Sequence, residues 1–258
     1  MAVCLNTDAA YKLFDMMAHD QYFVDKSGII EIVSARINSM NRYICITKPR
    51  RFGKTSVINM LGAYYCKAYD TSALFDGLNI SRSKTYATHL NKYNVIHLCL
   101  NRLPDQGSTY EDYIRLFRNS IKRDIQEAYP KLEGKDFDSI ADMLTVTHEQ
   151  FIFIIDEWDY IFSHELYPEH QGDFLEFLRN LLKDQPYVSL AYMTGVLPIK
   201  KYSTGSALNM FKEYTMLKDS FFGEFFGFTE SEVESLCERQ SALIMDEISD
   251  WYNGYQTS

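Results

Sequence analysis

A glycine, a lysine and a threonine stand where an apolar segment gives way to a predicted helix, at Gly53, Lys54 and Thr55. A triphosphate needs several backbone N–H donors, and a tight loop at a helix N-terminus supplies them together with a favourable helix dipole. Gly53 then lets the backbone approach the phosphates, Lys54 contacts the β- and γ-phosphates, and the Thr55 hydroxyl binds Mg²⁺. The predicted nucleotide-binding residues of this loop are Lys48, Pro49, Arg50, Arg51, Phe52, Gly53, Lys54, Thr55 and Ser56.

The entrance of this loop departs from the usual pattern G-x-x-x-x-G-K-[ST], because Lys48 occupies the position of the first glycine. Pro49 follows and favours extended backbone at Lys48, which suits the end of a strand. We therefore expect the N-terminal part of this loop to differ in backbone shape from a loop that has glycine at this position. The alternative is a Gly-Lys-Thr that occurs by chance at a helix start, but the strand–loop–helix context favours phosphate binding.

Two adjacent carboxylates, Asp156 and Glu157, follow the apolar residues 151–155. They are expected at the C-terminal tip of a buried strand, which is where ligands bind in open α/β sheets. There Asp156 holds Mg²⁺ through its water shell, and Glu157 orients and deprotonates an attacking water. A strand end before a polar turn is the ordinary alternative, but both motifs occur in the required order. We therefore predict a site for ATP and Mg²⁺, with Thr55 and Asp156 as the metal-binding residues.

The elements that position these groups can be read from the hydrophobic pattern. Near-continuous apolar runs predict buried strands at 43–47, 95–100, 151–155 and 188–196. Helical spacing predicts helices over 54–68, 108–128 and 174–182, the second of which begins with a capping box between Ser108 and Glu111. Alternating strands and helices predict an α/β fold, a three-layer P-loop NTPase sandwich with a mainly parallel sheet.

The chain is predicted to divide into three parts. Residues 1–42 form an N-terminal flanking segment with an amphipathic helix near 29–37, and residues 43–228 form the P-loop ATPase core. Residues 229–258 form a short helical segment, the start of a lid or linker, which opens with a capping box between Thr229 and Glu232. The aromatic stretch 221–227 is interpreted as a buried strand rather than as an exposed partner site.

Net charge, cysteine content and hydrophobic runs indicate which binding partners and which cellular compartment to expect. A formal net charge of −9 disfavours non-specific binding to nucleic acid or to an anionic membrane. Five cysteines without a C-x-x-C pair are typical of a reducing compartment rather than of a disulfide framework or zinc site. No signal peptide and no apolar run long enough to span a bilayer is visible. We therefore predict a cytoplasmic protein without a membrane partner.

Several other motifs are interpreted as structural. Glu133-Gly-Lys135, with Asp124 upstream, has the E-x-K form of a nuclease core but lies in a polar stretch without a strand pattern. Asn91-Lys-Tyr-Asn94 resembles a guanine-reading motif only in part, and this disfavours GTP. His97 lies in an apolar strand and is interpreted as a core histidine. Arg179 is left open as a weak candidate for an arginine finger acting on a neighbouring subunit.

Five segments together resemble the AAA-ATPase-like family, and the resemblance covers about residues 14–255. They are Tyr22-Phe-Val-Asp-Lys26, Lys48-Pro-Arg-Arg-Phe-Gly-Lys-Thr55, Ile155-Asp-Glu-Trp-Asp159, Thr194-Gly-Val196 and Trp251-Tyr-Asn-Gly-Tyr255. The resemblance implies a P-loop protein of the class with an additional catalytic glutamate, in which arginine or lysine is usual at the position of Lys48. It implies a sensor role for Thr194, which would contact the γ-phosphate or the attacking water. Asp159 matches a signature residue whose role the sequence leaves undefined.

The resemblance also implies that many relatives continue into a PD-(D/E)XK nuclease-like domain, which is absent from this sequence. No activity of that domain is assigned to this chain, and nucleic acid is not predicted as a partner.

Three functions follow from these observations. The first is an ATPase with Glu157, Lys54 and Thr194 as catalytic residues, coupled to a conformational change. The second is a nucleotide-dependent switch or interaction module with negligible hydrolysis, which has an unidentified protein partner or self-associates. The third is a small-molecule kinase, against which the adjacent acidic pair and the absence of an arginine-rich lid both argue.

Overall fold

The computed structural model describes residues 2–105, 108–202, 207–216 and 221–240, together with residues 245 and 248. Five strands form one sheet in the order β2-β3-β4-β1-β5, and every described pairing is parallel. The predicted α/β fold with a mainly parallel sheet is therefore confirmed. The strands are β1 (Tyr43–Thr47), β2 (Asn94–Cys99), β3 (Phe151–Asp156), β4 (Val188–Gly195) and β5 (Lys212–Tyr214).

The four longer strands lie within a residue of their predicted bounds, because a strand covered on both faces needs side chains that are apolar throughout. Every residue of β1, β3 and β4 is buried. The sequence analysis missed β5, a three-residue edge strand that begins with a lysine and a glutamate. A strand of three residues, two of them charged, has no apolar run that would predict it.

Helices cover both faces of the sheet. The helices are α1 (Ala9–Ala18), α2 (Ile29–Ser34), α3 (Lys54–Tyr65), α4 (Ser72–Phe75), α5 (Tyr86–His89), α6 (Tyr110–Ala128), α7 (Ile140–Val146), α8 (Tyr160–Ser163), α9 (Gln171–Leu182), α10 (Ile199–Tyr202) and α11 (Glu230–Arg239). Alternate side chains of β3 separate two cores: Phe153 packs on the face that carries α6, α7 and α9, and Ile154 packs on the face that carries α1, α2 and α3.

The start of α6 corrects the predicted capping box. Thr109, not Ser108, is the N-cap residue, and Asp112, not Glu111, completes the box. The Ser108 hydroxyl instead donates to the carbonyl of Asp105. The two candidate pairs are one residue apart in sequence, and only the backbone direction selects between them. The capping box of Thr229 and Glu232 at α11 is confirmed.

Other elements also differ from prediction, and α9 begins at Gln171, three residues before its predicted start at Phe174. Helix α3 ends at Tyr65, because Cys66 has extended backbone and pairs with Tyr93, and α2 ends at Ser34. The stretch 221–227 is not a strand: Gly223–Phe225 is a 3₁₀ turn, around which Phe222 and Phe226 are buried. Aromatic content is typical of a strand. Here, however, the two buried side chains, Phe222 and Phe226, stand on either side of one tight turn.

Residues before β1 pack on the sheet and on α3. Leu5 pairs with Ile96 at the β2 edge, and α1 packs against α3. The division at residues 42 and 228 stays a prediction. Within the described ranges no helix is both long enough and apolar enough to cross a bilayer.

The buried carboxylate of Asp124 anchors the N-terminal segment. It accepts hydrogen bonds from the backbone N–H groups of Val3 at 2.7 Å, Cys4 at 2.6 Å and Leu5 at 3.1 Å. Asp124 is 2% exposed, and Cys4 and Leu5 are buried with it, so these two donors have little access to water. A buried donor that loses its acceptor keeps the full cost of desolvation.

We expect Asp124→Ala to lower the free energy of unfolding by roughly 2–4 kcal/mol, because it leaves three backbone donors without their acceptor. Urea unfolding followed by circular dichroism measures the change. The matched control is Asp138→Ala, which removes an exposed carboxylate and should change stability by less than about 0.5 kcal/mol. Equal midpoints for the two variants would contradict the anchoring role of Asp124.

Candidate nucleotide-binding site

The loop between β1 and α3 turns tightly and has left-handed backbone at two of its residues. Gly53, the N-cap residue of α3, has φ +77° and ψ +13°, and Arg51 also has a positive φ of +69°. A Cβ atom at Gly53 would meet nothing within 4 Å, so the backbone angle rather than lack of space favours glycine there. The loop therefore leads directly into the N-terminus of a twelve-residue helix, whose dipole favours an anion.

Lys54 lies inside this loop. Its ammonium group donates to the carbonyl oxygens of Lys48 at 2.8 Å and Pro49 at 2.7 Å. Burial lowers the pKa of Lys54, while the nearby carboxylates of Asp156, Asp159 and Glu157 act to raise it. A phosphate group beside the ammonium would favour its charged form.

Asp156 joins three elements at the C-terminal edge of the sheet. Its carboxylate accepts from the Thr55 hydroxyl at 2.9 Å, from the Thr194 hydroxyl at 2.5 Å and from the Glu157 backbone N–H at 3.1 Å. Strand β4 lies between β3 and β1 in the sheet, which puts Thr194 between the other two motifs. The structure therefore brings together three predicted site residues that are far apart in sequence.

Glu157 follows directly at the tip of β3. Its φ is +52°, a left-handed backbone conformation that is uncommon for a residue other than glycine. Its own N–H bonds to Asp156, and the next residue, Trp158, donates its N–H to the carbonyl of Thr194 at 3.0 Å. The backbone is thus held on both sides of Glu157, and Glu157 lines the adjoining cavity.

The cavity has a volume of about 800 Å³. We call the part lined by residues 50–57 and Glu157 the polar end of the cavity, and the part lined by aromatic and apolar residues of the chain flanks its apolar end. The chain flanks contribute Met17, Asp20, Tyr22, Phe23, Val24, Lys26, Phe225, Gly227 and Phe228, and further lining residues are Met60, Tyr160, His164 and Val196.

Four of the predicted site residues do not line this cavity. The Lys48 side chain is 1% exposed, and its ammonium lies 3.4 Å from the Thr215 carbonyl oxygen. Pro49 contacts the site through its carbonyl oxygen, which accepts from Lys54. Asp156 and Thr194 are buried behind Thr55.

A divalent cation of the magnesium type fits this donor set. Thr55 and Asp156 present hydroxyl and carboxylate oxygens, which are the hard donors that Mg²⁺ prefers. Among the described residues no cluster of three or more His, Cys, Asp and Glu side chains could hold a metal ion. A site with few protein ligands is usual for Mg²⁺ that arrives with a nucleotide, because phosphate and water oxygens complete its coordination.

Sequence reasoning assigned no role to the residues at the apolar end of the cavity. Tyr22-Phe-Val-Asp-Lys26 is identified from sequence only as a family motif, residues 225–227 belong to the stretch 221–227 that is interpreted as a buried strand, and Phe228 has no assigned role. An aromatic-rich segment before β1 is the one signal that points to them. Their position beside the loop depends on the packing of both chain flanks.

The motifs interpreted as structural have other partners. Glu133 and Lys135 are exposed beside a turn, and Asp124 binds the N-terminal backbone. Asn91 donates its amide to backbone carbonyls at the end of α3. His97 is buried, as predicted for a core histidine, and burial lowers its pKa.

Arg179, left open as a candidate arginine finger, pairs with Glu176 on its own helix at 2.9 Å.

Two of three comparisons with known proteins found matches. The chain of the Aeropyrum pernix ORC2 protein, solved as ADPNP–ADP complexes, is 12% identical, with a TM-score of 0.39. The match covers 88% of this chain and 55% of that chain, so this chain spans just over half of its length. None of the curated proteins matches. A family model described as "AAA-ATPase_like: Predicted AAA-ATPase" matches residues 11–204, about three quarters of the sequence. The chain therefore belongs to the AAA-ATPase-like family.

Proposed function

We propose that this chain binds ATP with Mg²⁺ in the cavity beside the loop and hydrolyses the β–γ phosphoanhydride bond. One observation carries the proposal: Asp156 binds Thr55 and Thr194, with Glu157 next to it at the polar end of the cavity. Membership of the family supports nucleotide binding independently.

The polar end of the cavity suits the triphosphate. Backbone N–H groups at the start of α3 and the Lys54 ammonium surround the phosphates, and the carbonyl contacts of Lys54 hold its side chain inside the loop. Thr55 and Asp156 hold Mg²⁺, which supplies charge neutralisation on the phosphate oxygens. Arg50 and Arg51 line the cavity as additional cations.

Glu157 is the proposed general base. Glu157 lines the cavity, whereas its neighbour Asp156 is buried, does not line the cavity, and accepts three hydrogen bonds from protein groups. The two adjacent carboxylates are therefore suited to different tasks: one holds the metal and the other orients the attacking water and accepts its proton. Thr194 acts through Asp156, to which it donates at 2.5 Å.

The apolar end suits the adenine base. Tyr22 is 46% exposed and Phe228 is 61% exposed, and both line the cavity next to Phe52. Aromatic side chains can stack on either face of a purine without forming hydrogen bonds to the edge of the base. The base is therefore proposed to pack among the aromatic residues that the two chain flanks supply.

Contacts from the loop to α11 suggest how hydrolysis is coupled to a conformational change. The Gly227 N–H donates to the carbonyl of Phe52 at 3.2 Å, two residues before the cap of α11. Lys26, in the cavity wall, pairs with Glu232 of α11 at 2.6 Å and donates to the Glu224 carbonyl. A change in the loop would therefore shift the start of α11 directly.

The nucleotide-dependent switch remains the second candidate, since the same loop contacts to α11 can report binding without hydrolysis. In that case a protein partner or a second copy of the chain recognises the nucleotide-bound surface, and capture of that partner depends on ATP. The kinase remains the least supported candidate, and phosphate release without an acceptor molecule would argue against it.

We expect Lys54→Ala to weaken binding of a fluorescent ATP analogue with Mg²⁺ by roughly ten- to a hundredfold, because it removes a charge-assisted phosphate contact. Titration monitored by fluorescence anisotropy measures the affinity. Lys84→Ala, which removes an exposed lysine remote from the cavity lining, is the control and should bind like the wild type. Equal affinities for all three proteins would refute the proposed site.

We expect Glu157→Gln to lower turnover by roughly 10²- to 10⁴-fold with ATP affinity nearly unchanged, because the amide cannot accept the proton of the attacking water. Phosphate release under saturating Mg²⁺–ATP measures turnover. Glu165→Gln is the matched control, since Glu165 also has a positive φ, +51°, but does not line the cavity. Full activity of Glu157→Gln would rule out the general base, and an inactive wild type that binds ATP would favour the switch.

We expect Tyr22→Ala to weaken ATP binding by about tenfold while it leaves the affinity for inorganic tripolyphosphate unchanged, because only the base loses a stacking surface. Calorimetric titration with both ligands separates the two ends of the cavity. Tyr11→Ala is the control, since Tyr11 stacks on Tyr69 outside the cavity lining. Equal losses for ATP and tripolyphosphate would contradict this location of the base.

A further inference from the structure

We propose that Asp159 is a positioning residue for hydrolysis, which fastens the turn after β3 to the exit of β4 and so holds Glu157 and Thr194 in place around Asp156. This inference rests on the proposed ATP hydrolysis. Asp159 does not line the cavity, and it acts through its neighbours rather than on the nucleotide.

The side chain of Asp159 makes the connection. One carboxylate oxygen accepts from the backbone N–H of Val196 at 2.9 Å and from that of Leu197 at 2.6 Å. Asp159 is 3% exposed, so water does not compete effectively for these contacts. The Trp158 N–H adds a third hydrogen bond, to the carbonyl of Thr194. The turn after β3 is therefore tied to β4 on both sides of Gly195.

The Asp159 side chain does not cap the helix that follows it. Asp159 is the N-cap residue of α8, where an aspartate ordinarily accepts from the first N–H groups of its own helix. Here no such side-chain bond forms, although the Asp159 carbonyl accepts from Phe162 and Ser163. The carboxylate is turned toward β4 instead, which indicates that its task lies outside α8.

The two segments are packed without spare room at Gly195. A Cβ atom there would lie 2.5 Å from the Trp158 indole nitrogen and 2.7 Å from an Asp159 carboxylate oxygen. Contacts below 3.0 Å require a neighbour to move. The turn thus rests directly on the β4 backbone, next to the residue that binds Asp156 through its side chain.

The left-handed backbone of Glu157 explains why the connection matters for catalysis. A positive φ at a residue with a side chain persists only where the surrounding structure enforces it. On the N-terminal side of Glu157, the Asp156 carboxylate holds this φ by accepting the Glu157 N–H. On its C-terminal side, the contacts of Trp158 and Asp159 with β4 and its exit hold it. Without Asp159 the turn can relax, which moves the Glu157 carboxylate away from the attacking water.

The test compares four variants by their ATP-analogue affinity and their single-turnover phosphate release. We expect Asp159→Ala to lower the rate by roughly 10- to 100-fold, as displacement of a reacting group by about 1 Å does, with affinity within about threefold of the wild type. Asp159→Asn keeps an oxygen that can accept both N–H groups, so it should restore most of the rate. Gly195→Ala should reproduce the loss, because its Cβ pushes the same turn aside.

Asp124→Ala is the matched control for stability. Asp124 is also a buried carboxylate that accepts backbone N–H groups, but it lies outside the proposed site. Below its unfolding temperature we expect its rate to equal that of the wild type.

Each outcome decides the role of Asp159. A wild-type rate in Asp159→Ala, or equal losses in Asp159→Ala and Asp124→Ala, would overturn positioning while ATP hydrolysis by the wild type still stands. A wild type that releases no phosphate would overturn hydrolysis and the role of Asp159 together. If Asp159→Ala does not fold, Gly195→Ala and Asp159→Asn give the answer, since a wild-type rate in Gly195→Ala contradicts the proposal.

Discussion

The site depends on one buried carboxylate that three donors share. A buried carboxylate is costly unless hydrogen bonds satisfy it, and Asp156 takes those bonds from Thr55, Thr194 and the Glu157 backbone. These donors come from the start of α3, from β4 and from the turn after β3. They can meet only because β4 lies between β3 and β1 in a parallel sheet whose strands all end at one edge.

The two ends of the cavity have different origins. Its polar end comes from the loop before α3, from the start of α3 and from Glu157, whereas its apolar end comes from segments before β1 and after β5. The ion pair of Lys26 with Glu232 joins those two flanks across some two hundred residues of sequence. A cavity assembled in this way is sensitive to the position of α11, which gives the proposed nucleotide site a physical link to the rest of the chain.

The missing first glycine of the loop has a structural explanation. The Lys48 N–H donates to the Gly195 carbonyl at 3.2 Å, its own carbonyl accepts from Lys54, and its side chain is buried beside Thr215 and Phe226. At this position the side chain therefore contributes to the packing between β1 and the segment after β5. A glycine would leave that buried volume unfilled, and packing defects of this kind destabilise a core.

Local pattern alone determined the four long strands, the loop with its helix, and the adjacent pair Asp156 and Glu157, because each depends on residues close together in sequence. The choice between Thr109 and Ser108 as the N-cap residue of α6 depended on the tertiary structure, and so did β5, which is too short and too polar to give an apolar pattern. The aromatic end of the cavity and the contacts of Asp159 with Val196 and Leu197 were decided only by the tertiary structure. The aromatic end and the Asp159 contacts both join segments that are far apart in sequence, so no local pattern predicts them. They form because the order of the strands and the packing around the sheet bring those segments together.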